Sequence, residues 1–509
     1  MKKLFILSTL STMLAVGSFG AETGTVINKN GSKGWTKADT WLDGDIPTYN
    51  DSSIDEFVIT FSREEGSTST EAYLDIAKGS INSGILNYGN GVSYILTPVL
   101  ADGIETVTIN GGSTSNNSKC QVKIDSLTSG KLIFTGNKDK FYLNGNSMAT
   151  DVTVEFQAKM NNSGWNCSGF KGHLIINESQ STASDSNKIG RLSGTGSISI
   201  LKGHLTTTKA SSSGSGSSVN LQGSSMLKIN AGSSFTTSSG LKVMNGDIAG
   251  AINVDGWQTG FSKNVDNIQF TMGSKIIFRD TATLNVAAGD TTKSRTYIND
   301  GAVVVSEAGA GALKFNQALQ LDSGATLIMN TSNAIVNDES GNTKLLVSNY
   351  QTSSFDGVAN ANLKFGYDID DNKLETPVDT NGDAIVNDIA NLDMYDASTL
   401  NLWLNGTTLN IGAVSQTGSD SSSIFTLMLQ DDVERGSLFV QDFNGLTTLE
   451  DVETYISNVS GEDFFVEFAN GISADGGYYI YNVAVPEPAE WAMIFGAIAL
   501  SFVAYRRRK

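Results

Sequence analysis

One local pattern recurs from about residue 22 to residue 350 and restricts what this chain can fold into. It consists of a glycine, a small residue and a short stretch in which apolar side chains alternate with polar ones. Alternation with period two predicts strands that bury one face, and the intervening Gly, Ser and Asn predict turns. Examples of the pattern and of the alternation are Gly223–Ile229, Gly273–Phe278, Gly324–Met329, Phe57–Phe61 and Val152–Phe156.

A longer echo suggests how these strands are arranged. The segment Phe170-Lys171-Gly172-His173-Leu174 recurs as Leu201-Lys202-Gly203-His204-Leu205. Such recurrence predicts stacked turns that bury their apolar faces against one another. We therefore expect an all-β chain with a right-handed parallel β-helix, or solenoid, as its body. A set of β-sandwich domains is the alternative, although the chain contains neither linkers nor a domain-sized segment that repeats as a unit.

The charge of the chain excludes one class of partner. With 34 Lys and Arg against 53 Asp and Glu, the formal net charge is −19. Nucleic acid is not expected as a partner, because phosphate binding needs clustered cations. Two cysteines, Cys120 and Cys167, leave open either a disulfide or two separate thiols.

The N-terminus has the pattern of a secretory signal. Lys2 and Lys3 precede an apolar core, and small residues end it. The sequence predicts a signal peptide at 1–20, cleaved between Gly20 and Ala21.

The C-terminus, residues 485–509, has three parts in order. Pro486-Glu487-Pro488 comes first, then the uncharged segment Trp491–Tyr505, then Arg506-Arg507-Arg508-Lys509. The uncharged segment would be about 22 Å long as a helix, which spans a membrane only marginally. We expect a single transmembrane helix whose basic end stays in the cytoplasm.

These three parts resemble the PEP-CTERM sorting signal of Gram-negative bacteria. The resemblance implies that an exosortase-type membrane protease recognises the tail and cuts near Pro486-Glu487-Pro488. Two prolines support this, since they hold the junction extended and unpaired. The expected location is an inner-membrane-tethered precursor, followed by the cell surface, the outer envelope or the extracellular medium.

The start of the expected body, 21–350, carries a second resemblance. Gly34-Trp35 and Thr40-Trp41-Leu42-Asp43-Gly44-Asp45-Ile46-Pro47, followed by a strand near Phe57, resemble the entry segment of autotransporter-passenger-like β-helices. A solenoid needs its open end covered, and tryptophans supply large apolar area. Core tryptophans of another β fold are the alternative.

Residues 351–390 interrupt the pattern and are expected to form an acidic loop region. Oxygen-bearing residues alternate in two runs, as in calcium loops: Asp368, Asp370 and Asn372, then Asp379, Asn381 and Asp383. The second run resembles a dockerin or EF-type loop, with Asn387 as a further oxygen ligand, but Ala384 and Ala390 depart from that pattern. Calcium and a merely solvated acidic loop both remain open.

Aromatic residues become denser in 391–484, which we expect to be a β-rich C-terminal cap. Thr448 and Asp451 have capping-box spacing and predict a short helix after Thr448.

The sequence contains no readable catalytic constellation. Its two histidines occupy matching places in the echo, and neither a Gly-x-Ser-x-Gly elbow nor a clustered pair of carboxylates is evident. We therefore expect no catalytic residues and no cofactor apart from the calcium considered above. The expected function is a non-enzymatic adhesive or structural protein in an exopolysaccharide or biofilm setting, in contact with exopolysaccharide or cell-surface glycans. A carbohydrate-active β-helix with an unrecognised site, or a calcium-dependent binding module, are the alternatives.

Overall fold

The computed structural model describes most of the body of the chain. The described residues are 22–27, 37–45, 56–75, 94–111, 120–136, 141–162, 165–207, 219–237, 241–254, 268–286, 296–311, 313–315, 319–336, 344–349, 357–418, 423–458 and 463–482. Nearly all of the regular structure is β, and it is built from long parallel ladders. The chain divides into two compact units, Met1–Trp165 and Asn166–Lys509.

The first unit contains two parallel sheets. One consists of β1, β2, β4, β6 and β8, and the other includes β3, β5, β7 and β10. The strands are β1 (Glu22–Val26), β2 (Glu56–Phe61), β3 (Glu71–Asp75), β4 (Tyr94–Leu100), β5 (Thr106–Asn110), β6 (Cys120–Lys123), β7 (Ser129–Thr135), β8 (Phe141–Asn144), β9 (Ser147–Met148), β10 (Asp151–Phe156) and β11 (Asn161–Asn162), with a 3₁₀ turn at Ala38–Thr40.

Alternating apolar residues form the core of this unit, as the sequence predicts. Phe134 of β7 lies opposite Phe156 of β10, and their rings stack with centroids 5.0 Å apart. Trp41 is buried and forms an antiparallel bridge with Val26. The side chains at the predicted alternating positions 57, 59, 61, 152, 154 and 156 are all almost fully buried.

The second unit stacks its strands in three columns. Successive turns of the chain contribute strands to the columns in order, and within a column the strands pair in parallel with those of the next turn. We call them the first, second and third columns.

The first column contains β12 (Cys167–Phe170), β15 (Leu192–Gly194), β18 (Val219–Leu221), β25 (Thr296–Ile298), β28 (Leu319–Leu321) and β31 (Lys344–Val347). The second contains β13 (His173–Asn177), β16 (Ser197–Lys202), β19 (Met226–Ile229), β26 (Val303–Ser306), β29 (Thr326–Met329), β32 (Asn360–Lys364), β34 (Thr399–Trp403), β36 (Thr426–Leu429) and β38 (Ile456–Asn458). The third contains β14 (Asn187–Ile189), β17 (His204–Thr207), β20 (Ser234–Thr237), β22 (Ala251–Val254), β24 (Thr283–Val286), β27 (Leu313–Phe315) and β30 (Ile335–Val336).

Some strands are continuous through two columns. β21 (Leu241–Ile248) and β23 (Ile268–Phe278) run from the first column into the second, whereas β33 (Val386–Tyr395), β35 (Thr408–Thr417) and β37 (Leu438–Phe443) run from the third into the first. The polypeptide therefore bends at these corners while its backbone stays extended.

The glycine–small-residue pattern marks the turn that leads into the second column. Gly301 has a φ of 65°, which L side chains rarely adopt. The next residue, Ala302, is fully buried and donates its N–H to the carbonyl of Asn299, which closes the turn. A larger side chain would have to fit between the stacked turns, so this position stays small. Equivalent pairs are Gly273 with Ser274 and Gly324 with Ala325.

The repeated segment that suggested stacking, 170–174 and 201–205, does not occupy the same place in successive turns of the stack. His173 begins a second-column strand and lies opposite Ser197, whereas His204 begins a third-column strand and lies opposite Ser234. The two copies are thus not equivalent places in successive turns, and that inference from the sequence was wrong. What the two copies share is a Lys-Gly pair directly before a strand that begins at the histidine.

Antiparallel pairing ends the stack. After helix α1 (Leu449–Glu453), strand β39 (Phe465–Phe468) and strand β40 (Tyr478–Tyr481) form an antiparallel pair, and β40 also pairs antiparallel with β37. A 3₁₀ turn lies at Ala474–Gly476. Thr448 accepts a hydrogen bond from the N–H of Asp451, which confirms the predicted cap and helix.

The described strands also locate the predicted regions. Parallel stacking continues through the expected cap, 391–484, as far as Asn458. The expected acidic loop region, 351–390, includes all of β32 and the start of β33. Among the described residues of that region, 365–385 is the part that lies between the stacked strands β32 and β33.

Candidate functional site

Residues 365–385, here called the acidic insertion, connect β32 to β33 outside the regular path of the stack. They contain two small loops. The first loop, Tyr367–Lys373, and the second loop, Val378–Ala384, are each closed by an antiparallel bridge between their end residues.

The two loops have the same backbone design. In the first, Asp368 N–H donates to the Asn372 carbonyl, and Asp371 N–H donates to the Asp368 carbonyl. In the second, Asp379 and Gly382 make the equivalent bonds. The fifth residue of each loop has a positive φ, 69° at Asp371 and 84° at Gly382. The two runs of alternating acidic residues are therefore two copies of one turn.

The leading aspartate of each loop accepts hydrogen bonds from its own loop. Asp368 accepts N–H bonds from Asp370 and Asn372 and a side-chain bond from Asn372. Asp379 accepts N–H bonds from Asn381 and Asp383. These bonds favour the charged carboxylate, so the pKa of each aspartate is lowered; the largest cause is the Asn372 side chain for Asp368 and the Asp383 backbone for Asp379.

The other two acidic side chains of the first loop form ion pairs with lysines. Asp370 forms an ion pair with Lys275 at 3.0 Å, and Asp371 forms one with Lys364 at 2.5 Å. Within the part of the chain that the structure describes, no three Asp, Glu, His or Cys side chains are grouped so that they could hold a metal ion. Calcium binding by the predicted residues remains a prediction.

Asn387 lies away from the loops it was expected to complete. Its side chain is buried in β33, where the oxygen accepts the N–H of Ala334 and the amide donates to the carbonyl of Thr331. The interpretation of Asn387 as a loop ligand was wrong, because its amide joins two turns of the stack.

The first loop lies on a ladder of outward-facing side chains. Directly opposed positions on successive second-column strands are Ile277, Val305, Ile328, Lys364 and Trp403. Tyr367, only 9% exposed, packs with Val305 and Ile328, and Val303, Ile369 and Trp403 surround this cluster. An outer face that would otherwise meet water thereby gains a small apolar core of its own.

Lys364 is the charged member of this ladder, and it is almost buried. Its side chain is 9% exposed, and its Nζ lies 4.0 Å from the centre of the Trp403 ring and 5.3 Å from that of Tyr367. An ammonium held over aromatic faces is attracted by the ring quadrupole. The pKa of Tyr367 rises to about 12, chiefly through burial and secondarily through the carboxylates of Asp431 and Asp371.

Two asparagines fasten the backbone of the first loop to the stack. Asn330 donates to the carbonyl of Tyr367 and accepts the N–H of Gly366. Asn405 donates to the carbonyls of Gly366 and Leu374. Asp431 in turn accepts the N–H groups of Leu404 and Asn405, and burial raises its pKa.

In the part of the chain that the structure describes, the apolar cluster around Val305 and Ile328 includes residues of the first loop and none of the second loop. Residues 380–384 are exposed. One close approach is at Gly309, where a Cβ would come within 2.8 Å of the Thr380 methyl group. The acidic insertion is therefore docked through its first loop.

The histidines make contacts between turns. His173 Nε2 lies 2.8 Å from Ser199 Oγ, and His204 Nδ1 lies 2.8 Å from Ser234 Oγ. The first pair joins neighbouring strands of the second column, and the second pair joins neighbouring strands of the third column. The two pairs therefore lie on different faces of the stack.

The third column presents a polar row to the outside. Thr206, Thr236, Asn253 and Asn285 lie directly opposite one another on successive strands. Asn285 donates to the side-chain oxygen of Asn253 at 3.0 Å. This row supplies repeating hydroxyl and amide groups along the stack.

The predicted processing residues lie outside the described residues. These are Gly20 and Ala21 at the signal cleavage site, and Pro486, Glu487, Pro488, Arg506, Arg507 and Arg508 in the tail. Among the residues that are described, no helix is both long enough and apolar enough to cross a bilayer.

Comparisons with known proteins add no relative. No family model matches the sequence, and neither the curated proteins nor the solved structures yielded a match.

Sequence reasoning missed the residues that dock the insertion. The sequence does contain a signal for these docking residues, namely a departure from the alternating pattern. Two strands carry continuous apolar runs instead, Val303-Val304-Val305 and Leu327-Ile328-Met329. Such runs are typical of strands covered on both faces, and here Tyr367 covers the outer face.

Proposed function

We propose that this chain is an exported, non-enzymatic protein of the cell surface or extracellular matrix, with an adhesive or structural role. Its body would be a right-handed parallel β-helix closed by a small C-terminal cap. A signal peptide at 1–20 would export it, and a transmembrane helix in 485–509 would tether the precursor. An exosortase-type protease would then process the tail at Pro486-Glu487-Pro488.

The observation that carries the adhesive role is the continuous parallel stacking of the second unit. Stacking repeats the same outer position once per turn, as in the polar row Thr206, Thr236, Asn253 and Asn285. An elongated surface with regularly spaced hydroxyls and amides suits many weak contacts with a polymer, and avidity multiplies such contacts. The tail supports the surface location through its resemblance to the PEP-CTERM signal.

Cell fractionation tests the sorting part of this proposal. The full chain is compared with a variant in which Pro486, Glu487 and Pro488 are all alanine. We expect the unchanged chain in the outer envelope or the medium and the variant in the inner membrane, because the protease would no longer find an extended junction. Equal distribution of the two chains would contradict processing at this tripeptide.

A depolymerisation assay separates the adhesive protein from a carbohydrate-active enzyme. The purified full chain is incubated with a panel of polysaccharides, and new reducing ends are measured. The proposal predicts no turnover above a heat-denatured control. Turnover that disappears when a single carboxylate pair is changed to amides would favour the enzyme.

A further inference from the structure

The last antiparallel strands present a row of aromatic side chains to the outside. In β40, Tyr478 and Ile480 are buried and Tyr479 and Tyr481 face outward. Antiparallel register places Tyr479 between Phe439 of β37 and Glu467 of β39, and places Tyr481 opposite Phe465. Phe439, Phe465, Tyr479 and Tyr481 are here called the aromatic face.

The rings of this face contact one another in pairs. The Phe439 and Tyr479 centroids are 5.6 Å apart, and the Phe465 and Tyr481 rings are stacked at 5.3 Å. Phe465 remains 40% exposed. Gly477 lies under the edge of Phe439, where a Cβ would meet the ring at 2.8 Å. The absence of a side chain there lets the ring pack close to the backbone.

The charges of the aromatic face compensate each other. Arg435 forms an ion pair with Glu467, and its guanidinium carbon lies 5.5 Å from the centre of the Tyr479 ring. Glu467 also accepts a hydrogen bond from the Tyr481 hydroxyl at 3.2 Å. The surface thus consists of apolar rings beside one ion pair that can donate and accept hydrogen bonds. The net charge of the chain, −19, disfavours the binding of polyanions.

The size of the aromatic face restricts the kind of ligand that it can bind. Three strands spaced about 4.8 Å apart, and two residues of one strand about 6.8 Å apart, define a patch of roughly 10 by 7 Å. A stable protein interface needs about 800 Å² from each partner, which is far more than this patch supplies. The patch is large enough for one or two pyranose rings. Their chemistry also matches it, because the C–H faces of such rings are apolar and hydroxyl groups line their edges.

We propose that the aromatic face is a binding site for a neutral polysaccharide. The C–H face of a sugar stacks on Tyr479 and its neighbours, while Arg435 and Glu467 hydrogen-bond to ring hydroxyls. This inference rests on the proposed adhesive role and assigns that role a local site. It concerns glycan chemistry and requires neither tail processing nor a particular location.

Calorimetry on the full chain tests the site, with cellohexaose and mannohexaose as neutral probes and polygalacturonate as the anionic probe. We expect binding of at least one neutral probe, a loss of tenfold or more in Tyr479→Ala, and a change below threefold in Tyr479→Phe, which keeps the ring. Ile472→Ala is the matched control, since Ile472 is 86% exposed in the same antiparallel hairpin. Its affinity should equal that of the unchanged chain.

Three results would overturn the proposal. They are the absence of binding to both neutral probes, preferential binding of polygalacturonate, and equal loss in Tyr479→Ala and Ile472→Ala. Unfolding curves show whether Tyr479→Ala is folded; if it is not, Phe465→Ala, at the ring of the face that is 40% exposed, takes its place and should show the same loss of affinity. Failure here leaves fractionation of the tail variant unaffected, so loss of this site and loss of the sorting proposal are distinguishable.

Discussion

The two loops of the acidic insertion share one turn design but differ in what lies beneath them. The first loop, Tyr367–Lys373, rests on an apolar ladder, and two asparagines and two ion pairs hold it. The second loop, Val378–Ala384, has the same internal hydrogen bonds, yet its first residue, Val378, is only partly buried, whereas Tyr367 is 9% exposed and belongs to the apolar cluster. Local sequence therefore determines the shape of each loop, and the first residue of the loop determines whether it is anchored.

That residue is Tyr367 in the first loop and Val378 in the second. A buried tyrosine removes far more apolar area from water than a partly buried valine does. We therefore expect the two segments to differ in their sensitivity to mutation, although their turns are almost interchangeable.

The largest effect is expected from the anchors themselves. Tyr367→Ala should lower the free energy of local opening of residues 365–376 by about 3 kcal/mol, because it leaves Val305 and Ile328 without their cover. Val378→Ala, the matched change, should cost less than about 1 kcal/mol. Hydrogen exchange monitored by mass spectrometry measures both. Equal protection in the two variants would break the comparison.

A smaller effect is expected from the ion pair over Trp403. Asp371→Asn should destabilise the first loop by about 1 kcal/mol, a value kept low because the Asp371 side chain is 63% exposed. Asp383→Asn, at the last acidic position of the second loop, should change stability by about 0.3 kcal/mol or less. Denaturant unfolding followed by Trp fluorescence reports on this region, and a larger loss in Asp383→Asn would contradict the docking described.

Alkaline pH should release the first loop alone. The pKa of Tyr367 lies at about 12 instead of 10, so the folded state holds this proton more tightly than the unfolded state does. The stability it contributes is complete below pH 10 and is lost as the pH rises towards 12. Hydrogen exchange cannot be compared simply across this range, so limited proteolysis between pH 9 and 12 is the measurement. Tyr367→Phe should abolish the pH-dependent part of the cleavage in 365–376.

The smallest effect is expected from calcium binding, which should differ between the two loops. Asp370 and Asp371 are engaged by lysines, so any uptake predicted from the sequence should belong to Asp379, Asn381 and Asp383. Calorimetric uptake should then vanish in Asp379→Asn and persist in Asp368→Asn. Absence of uptake by the full chain would remove the calcium prediction, and dependence on Asp368 would contradict the comparison.

The stacked fold could be predicted from alternation and glycine because both are local signals. Val152, Val154 and Phe156 alternate and are buried, and the glycine before a small residue marks the turn into the second column. The pairing of particular turns could not be predicted. His173 and His204 resemble each other in sequence, but they begin strands of different columns and therefore pair with different partners.

The site could be predicted only in part for a related reason. Oxygen spacing identified the two loops, since their hydrogen bonds are internal. Docking depends on Val305, Ile328 and Trp403, which come from three separate turns, and that proximity exists only after stacking. The aromatic face likewise requires antiparallel pairing of β37, β39 and β40.

Intact-mass spectrometry of the protein recovered from the envelope and from the medium tests the central claim, an exported body sorted through its tail. We expect a chain that begins at Ala21 and ends close to Pro486-Glu487-Pro488. A chain that retains Arg506–Lys509 in both fractions would contradict it.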